Sequence, residues 1–153
     1  MAAPDVIVQP WTSRDRLGDI MALVHAAFAG FEPPSSVLHE TAGDLAARQR
    51  DGVVFVAMAN GEFVGSVFCA VKDDALDLTR MATHPQWRRR GVGAALMRAA
   101  EREARARGLP KLLLRVRKSL PGNRAYFAKF GFVVTGEGQD PGRSPFDVME
   151  RRL

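Results

Sequence analysis

HPQWRRRGVGAALMRAAERE, residues 84–103, runs three arginines straight into Gly-Val-Gly and then into an alanine-rich pattern. Val92, Ala95, Leu96, Ala99 and Ala100 recur as one apolar stripe, with Arg98, Glu101, Arg102 and Arg105 outside it, so the spacing predicts a helix opening at Gly91. A helix start already exposes unsatisfied N–H groups and carries about half a unit of positive charge. Adding arginines there raises repulsion unless an anion binds. Two glycines let the backbone come close to such a ligand with its N–H groups free, which suits a pyrophosphate. Taken alone, Gly-Val-Gly is too short for a dinucleotide fingerprint, the chain has no Walker-type phosphate loop, and an arginine run is equally a solvated charge cluster.

Working outward, "ALDLTRMAT" (75–83) alternates as a strand ended by His84-Pro85, and "KLLLRVR" (111–117) is a strand after the Gly108 stop. A strand, helix, strand crossover follows. Upstream, "VVFVAMA" (53–59), the Asn60-Gly61 turn and "FVGSVFCAV" (63–71) form a hairpin that continues into 75–83 as a meander. "VIVQPW" (6–11) reads as a short strand. Thr12 with Asp15 looks like a capping box opening a helix that ends near Gly30. "FEPPSS" is a loop, and a second helix is expected over 37–50. A short helix is expected over 123–130, followed by strands in "FVVTG" and "FDVMERRL". The expectation is an α/β (α+β) fold: one domain over 1–153, with a mixed, mostly antiparallel sheet of about seven strands flanked by about four helices.

The chain has 153 residues, 46% hydrophobic and 25% charged, the size and composition of one soluble domain. No apolar run approaches the ~20 residues that span a bilayer, and the first ten residues lack a leader pattern, so a cytoplasmic protein without a membrane partner is expected. The single cysteine, Cys69, lies in an apolar run and reads as a buried thiol. His25, His39 and His84 have no paired ligand spacing, so no metal is expected. The net charge of +5 fits attraction to nucleic acid, to membranes or to a polyanionic small molecule, and the distribution of the charge decides among them. The basic clusters lack the interleaved aromatics of a base-stacking platform, which argues against nucleic acid.

Arg88-x-x-Gly91-x-Gly93-Ala94, placed after a strand ending in His84-Pro85, and "YFAKFGF" (126–132) together resemble two motifs of the GNAT (Gcn5-related) N-acetyltransferases. The resemblance covers almost the whole chain. It implies a V-shaped splay at the centre of the sheet, acetyl-CoA as acetyl donor and an amine acceptor that the sequence does not identify. It implies that backbone amides of Arg88, Arg89, Arg90, Gly91, Val92, Gly93 and Ala94 hold the pyrophosphate. The end of the preceding strand, Met81, Ala82 and Thr83, would take the pantetheine arm through its backbone. The Thr83 amide is the candidate oxyanion donor. The family's tyrosine acid sits four residues before the glycine of "GF", where this chain has Phe127, and Tyr126 stands one residue earlier as the candidate. An ungapped count back from Arg88 brings Asp77 to the position of a glutamate base in histone-type members. Asn123 is the candidate for an asparagine contact to coenzyme A, and equally for the N-cap of the last helix. His25, His39 and Glu40 flank the loop where relatives build the acceptor pocket. A homodimer, as in many relatives, stays open, and so does a non-catalytic acyl-CoA-binding or sensing role.

Overall fold

Asn60 and Gly61 both take positive φ, 52° and 76°, the turn that matches strand twist in a two-residue hairpin. The chain is seen in a computed structural model that describes residues 5–153; residues 1–4, the start of the stretch read above for a leader, lie outside it. The hairpin joins β2 (Val53–Ala59) to β3 (Glu62–Lys72), which turns into β4 (Ala75–Thr83). With β1 (Ile7–Pro10), β5 (Lys111–Arg117), β6 (Val133–Gly138) and β7 (Phe146–Arg152) they make one seven-stranded sheet, ordered β1-β2-β3-β4-β5-β7-β6. Every neighbouring pair is antiparallel except β4 with β5. The crossover between those two is α3 (Val92–Ala106). The fold is the expected mixed sheet with four helices, the others being α1 (Leu17–Phe28), α2 (Ala42–Asp51) and α4 (Pro121–Ala128).

Two apolar layers cover the sheet. One packs Val67, Cys69, Leu76, Leu78, Leu112, Leu114 and Val116 against Leu96, Met97 and Ala100 of α3, with Phe127 and Phe130 of the α4 region at its margin. The other packs Val54, Val56, Phe68 and Ala82 against Ile20 and Val24 of α1 and Leu45 of α2. α3 lies so close to β3 that a Cβ built on Gly65 would stand 2.5 Å from Cγ1 of Val92. Burial pushes the Cys69 thiol up to about 12, reinforced by Glu103, so it stays an uncharged packing group.

The structure corrects three local expectations. The capping box is not at Thr12: the Asp15 N–H donates to Ser13 Oγ, the Trp11 indole takes the Asp15 carbonyl, and α1 starts at Leu17. A full box occurs at Thr41 and Asp44, where each side chain accepts the other's backbone N–H. It splits the helix expected over 37–50 into a 3₁₀ turn, Ser36–His39, and α2, with an extended Glu40 between them. Asn123 is not an N-cap: Leu120 is, Pro121 fills the first turn where its missing N–H costs nothing, and Asn123 lies one turn in. Among the described residues, no helix is long and apolar enough to cross a membrane.

Candidate functional site

β4 and β5 pair over three positions only, Ala75 to Asp77 against Lys111 to Leu113. Beyond them β4 runs on to Thr83 and β5 to Arg117 with no ladder between them, a divergence ~13 Å long at strand rise. β4 is also bulged. Ser66 faces Ala82 and Phe68 faces Thr79, so Arg80 and Met81 stand opposite Val67 alone. Arg80 takes φ 53°, and its carbonyl accepts from Ser66 Oγ at 3.0 Å.

The splay opens into a cleft of about 960 Å³ that passes between the two strands. On the α3 side it is lined by Met81 and Thr83, by Gly91 to Ala94, and by Asn123, Tyr126 and Phe127 around α4. On the α1 side it is lined by Phe28, Phe31, Thr79, Arg80, Arg115 and Arg117. Strand alternation accounts for this division. Leu114 and Val116 point into the α3 layer, so Arg115 and Arg117 point the other way.

α3 opens without a side-chain cap, because Gly91 (φ 81°) precedes it in the left-handed region that favours glycine. Arg89 is also left-handed, φ 63°, which turns the loop onto the helix start. Arg88 and Arg89 line the cleft. Arg90 is drawn off to the Trp87 ring, 4.9 Å from its centroid. The helix start thus combines uncapped amides, close backbone approach and two cationic side chains. These features fit a pyrophosphate.

Tyr126 and Phe127 divide their surroundings. Phe127 packs on Phe132 in the α3 layer, whereas the Tyr126 ring stands edge-on to Phe127 and Phe130. The Tyr126 hydroxyl reaches the first turn of α3, where a Cβ on Gly93 would come within 2.1 Å of it. Burial raises the phenol above its ordinary pKa, keeping it a hydrogen-bond donor. α4 is pinned beneath by Asp147, which takes Lys118 at 3.0 Å and Arg124 at 3.2 Å. The Lys118 hydrogen bond holds the Asp147 carboxyl below its ordinary range.

Asp77 stands apart from Tyr126. It lines a separate hollow of about 270 Å³ with Arg48, Asp51 and Thr79 on the α1 and α2 side. Its Oδ2 accepts from Arg115 at 2.9 Å, while its buried Oδ1 has no partner among the described residues. Glu40 makes two 2.7 Å bonds to Arg80, and His25 Nε2 meets the Glu40 carbonyl at 2.9 Å. Arg115, Arg117, Phe28 and Phe31 were not singled out by sequence reasoning. The signal for the arginines was present in the alternation of "KLLLRVR".

A model of the acetyltransferase (GNAT) family matches residues 19–132, well over half of the chain. The chain belongs to the GNAT acetyltransferase family. Over 63 residues this acetyltransferase-family chain is 40% identical to "Acetyltransferase ECA0875" of Pectobacterium atrosepticum, a match spanning 41% of this chain and 45% of that protein. Its fold is that of the ribosomal-protein-S18-alanine N-acetyltransferase from Escherichia coli (TM-score 0.79, 22% identity, 97% of this chain and 94% of that one). It is also that of the PaiA N-acetyltransferase from Thermoplasma acidophilum, solved in complex with coenzyme A (TM-score 0.82, 17% identity, 97% and 99%). As a GNAT chain it carries a sheet that parts between β4 and β5.

Proposed function

We propose that this chain is an N-acetyltransferase that moves an acetyl group from acetyl-CoA to a primary amine by direct attack in a ternary complex. The observation that carries the reading is one continuous cleft joining an uncapped, glycine-opened helix start to a splay between parallel strands. In this reading the amides from Arg88 to Ala94 take the pyrophosphate, with Arg88 and Arg89 adding charge and Arg90 at the rim. The freed edge of β4, Met81 to Thr83, takes the pantetheine arm, and Asn123 lies beside it.

The amine nitrogen attacks the thioester carbonyl, the carbon–sulfur bond breaks, and no covalent enzyme intermediate forms. Three proton and charge problems arise. An amine with a pKa near ~10 arrives as an ammonium. The cationic side chains around the cleft favour its neutral form, and Asp77, which lines the neighbouring hollow rather than the cleft, is the candidate acceptor of the proton through a bridging water. The tetrahedral oxyanion takes the Thr83 amide. Tyr126, a protonated phenol, donates to the departing thiolate.

Calorimetry with acetyl-CoA, followed by thiol release over a panel of amines and peptides, tests this. Gly91→Glu sets a carboxylate beside the phosphates and is expected to weaken acetyl-CoA binding by at least ~100-fold, since it adds repulsion where an anion must sit. Unchanged affinity rejects the site. The second reading is an acyl-CoA-binding module without turnover. It is favoured by one observation: among the described residues, no carboxylate or histidine side chain lines the cleft. Tight binding with no thiol release over the whole panel decides for it.

A further inference from the structure

On the α1 side of the splay the cleft is walled by three arginines and two phenylalanines, and the arginines are not equivalent. Arg80 is neutralised by Glu40 through two 2.7 Å bonds, and Arg115 by Asp77 at 2.9 Å. Arg117 meets no carboxylate among the described residues. It donates to the Pro33 carbonyl, and its guanidinium lies 5.5 Å from the Phe31 ring centroid. A guanidinium carries five N–H donors in a rigid fork, so one backbone bond leaves most of them for a ligand. Glu40 and Asp77 stand behind the wall rather than in it, and the charge the cleft presents is wholly cationic among the described residues.

A polycationic acceptor would meet repulsion on entering. An amine that also carries a carboxylate would find a planar, charged partner for it beside the apolar faces of Phe28 and Phe31, which stand edge to face at 5.5 Å. Resting on the transfer reading above, we infer that the acceptor is a small amine bearing a carboxylate and an apolar side group, an amino-acid-like molecule, and that Arg117 binds its carboxylate. The face is set by strand parity. Arg117 lies at the end of β5, on the side opposite the α3 layer and the donor's pyrophosphate site.

Matched acceptors test the inference. Phenylalanine, its amide and phenethylamine share one skeleton and differ at the carboxylate, and kcat/KM is compared per free amine. The expected result is a preference for phenylalanine of at least ~10-fold, the scale of one hydrogen-bonded charge. Arg117→Met should bring the ratio near one by raising KM for phenylalanine, Arg117→Lys should fall between, and acetyl-CoA affinity serves as the folding control. An amide or phenethylamine preferred by the native chain overturns the inference, as does a ratio that Arg117→Met leaves intact. Binding separates this from failure of the transfer reading. N-acetylphenylalanine and its amide are titrated into protein saturated with coenzyme A. If only the acid binds, and Arg117→Met abolishes it while no amine is acetylated, the anion site stands and transfer fails. Equal binding of both, or of neither, overturns the anion site.

Discussion

Tyr126 and Phe127 are adjacent in sequence yet meet different surroundings, a consequence of the 100° turn between neighbours on a helix. Phe127 is committed to the apolar layer beside Phe132, whereas Tyr126 keeps 40% of its surface exposed and sends its hydroxyl to Gly93. If the hydroxyl protonates the leaving thiolate, Tyr126→Phe lowers kcat by roughly 100-fold, the low end for a positioned acid. The sign of the pH effect follows from burial. A phenol raised above its ordinary value near ~10 stays protonated through neutral pH, so the limb it controls lies on the alkaline side and disappears in the variant. Asp77→Asn gives the complementary signature. Its loss of rate shrinks as pH approaches the acceptor's own pKa, because hydroxide and bulk water then supply the free amine. Steady-state pH profiles of both variants check the two roles together.

At the scale of elements, α3 sits where it does because Gly65 offers no side chain to oppose it. Gly65→Ala drives a methyl toward Cγ1 of Val92 at 2.5 Å and Cδ1 of Leu96 at 3.0 Å, which forces the helix start outward. A cost of about 1–3 kcal/mol in stability is expected, as for overpacked cores, together with weaker acetyl-CoA binding. Thermal unfolding and calorimetry read the two effects, and a variant that lost stability but kept affinity would detach α3's position from the donor site. Strong local signals made several elements legible in the sequence: β2 from the hairpin turn, β4 from alternation and β5 from the stop at Gly108 each run over the expected residues. The helix-opening signal at Thr12 misled because Ser13 and Trp11 consume the polar groups of Asp15 in a turn. The true box at Thr41 lies inside the stretch expected as one helix, and the extended Glu40 just before it has its carboxylate engaged 40 residues away by Arg80.

For the whole molecule, the seven strands, the meander of β2 to β4 and the crossover were legible, since a tight turn and handedness dictate those connections, whereas the place of β7 between β5 and β6 was not among what the sequence indicated. The site was half legible. The α3 side was announced by a motif, while the α1 side is assembled from Phe28, Phe31, Arg80, Arg115 and Arg117, contributed by α1, its following loop and two strands. No local pattern joins those residues. A donor that occupies the splay holds the two halves of the sheet together, so binding should raise global stability. At 100 times the dissociation constant the gain is about 2.7 kcal/mol. For a domain of this size that moves Tm upward by about 5–10 °C. Arg88, Arg89 and Lys129 line the cleft, so the shift should shrink with added salt at a fixed acetyl-CoA concentration. Melting curves at two ionic strengths measure it, and a Tm indifferent to acetyl-CoA would count against binding in the splay.

The bulge at Arg80 and Met81 acts on β4 as a one-residue shift of reading frame. Upstream of it, Leu76 and Leu78 face α3; downstream, Ala82 has crossed to the α1 layer, and Met81 packs with the α3 layer. Counting from Arg88 back to Asp77 therefore crosses a change of phase, and two chains are comparable position by position only if both carry the extra residue. Deleting that residue would exchange the donor and acceptor faces at one end of the strand, whereas removing two would shorten the strand and leave its faces in phase.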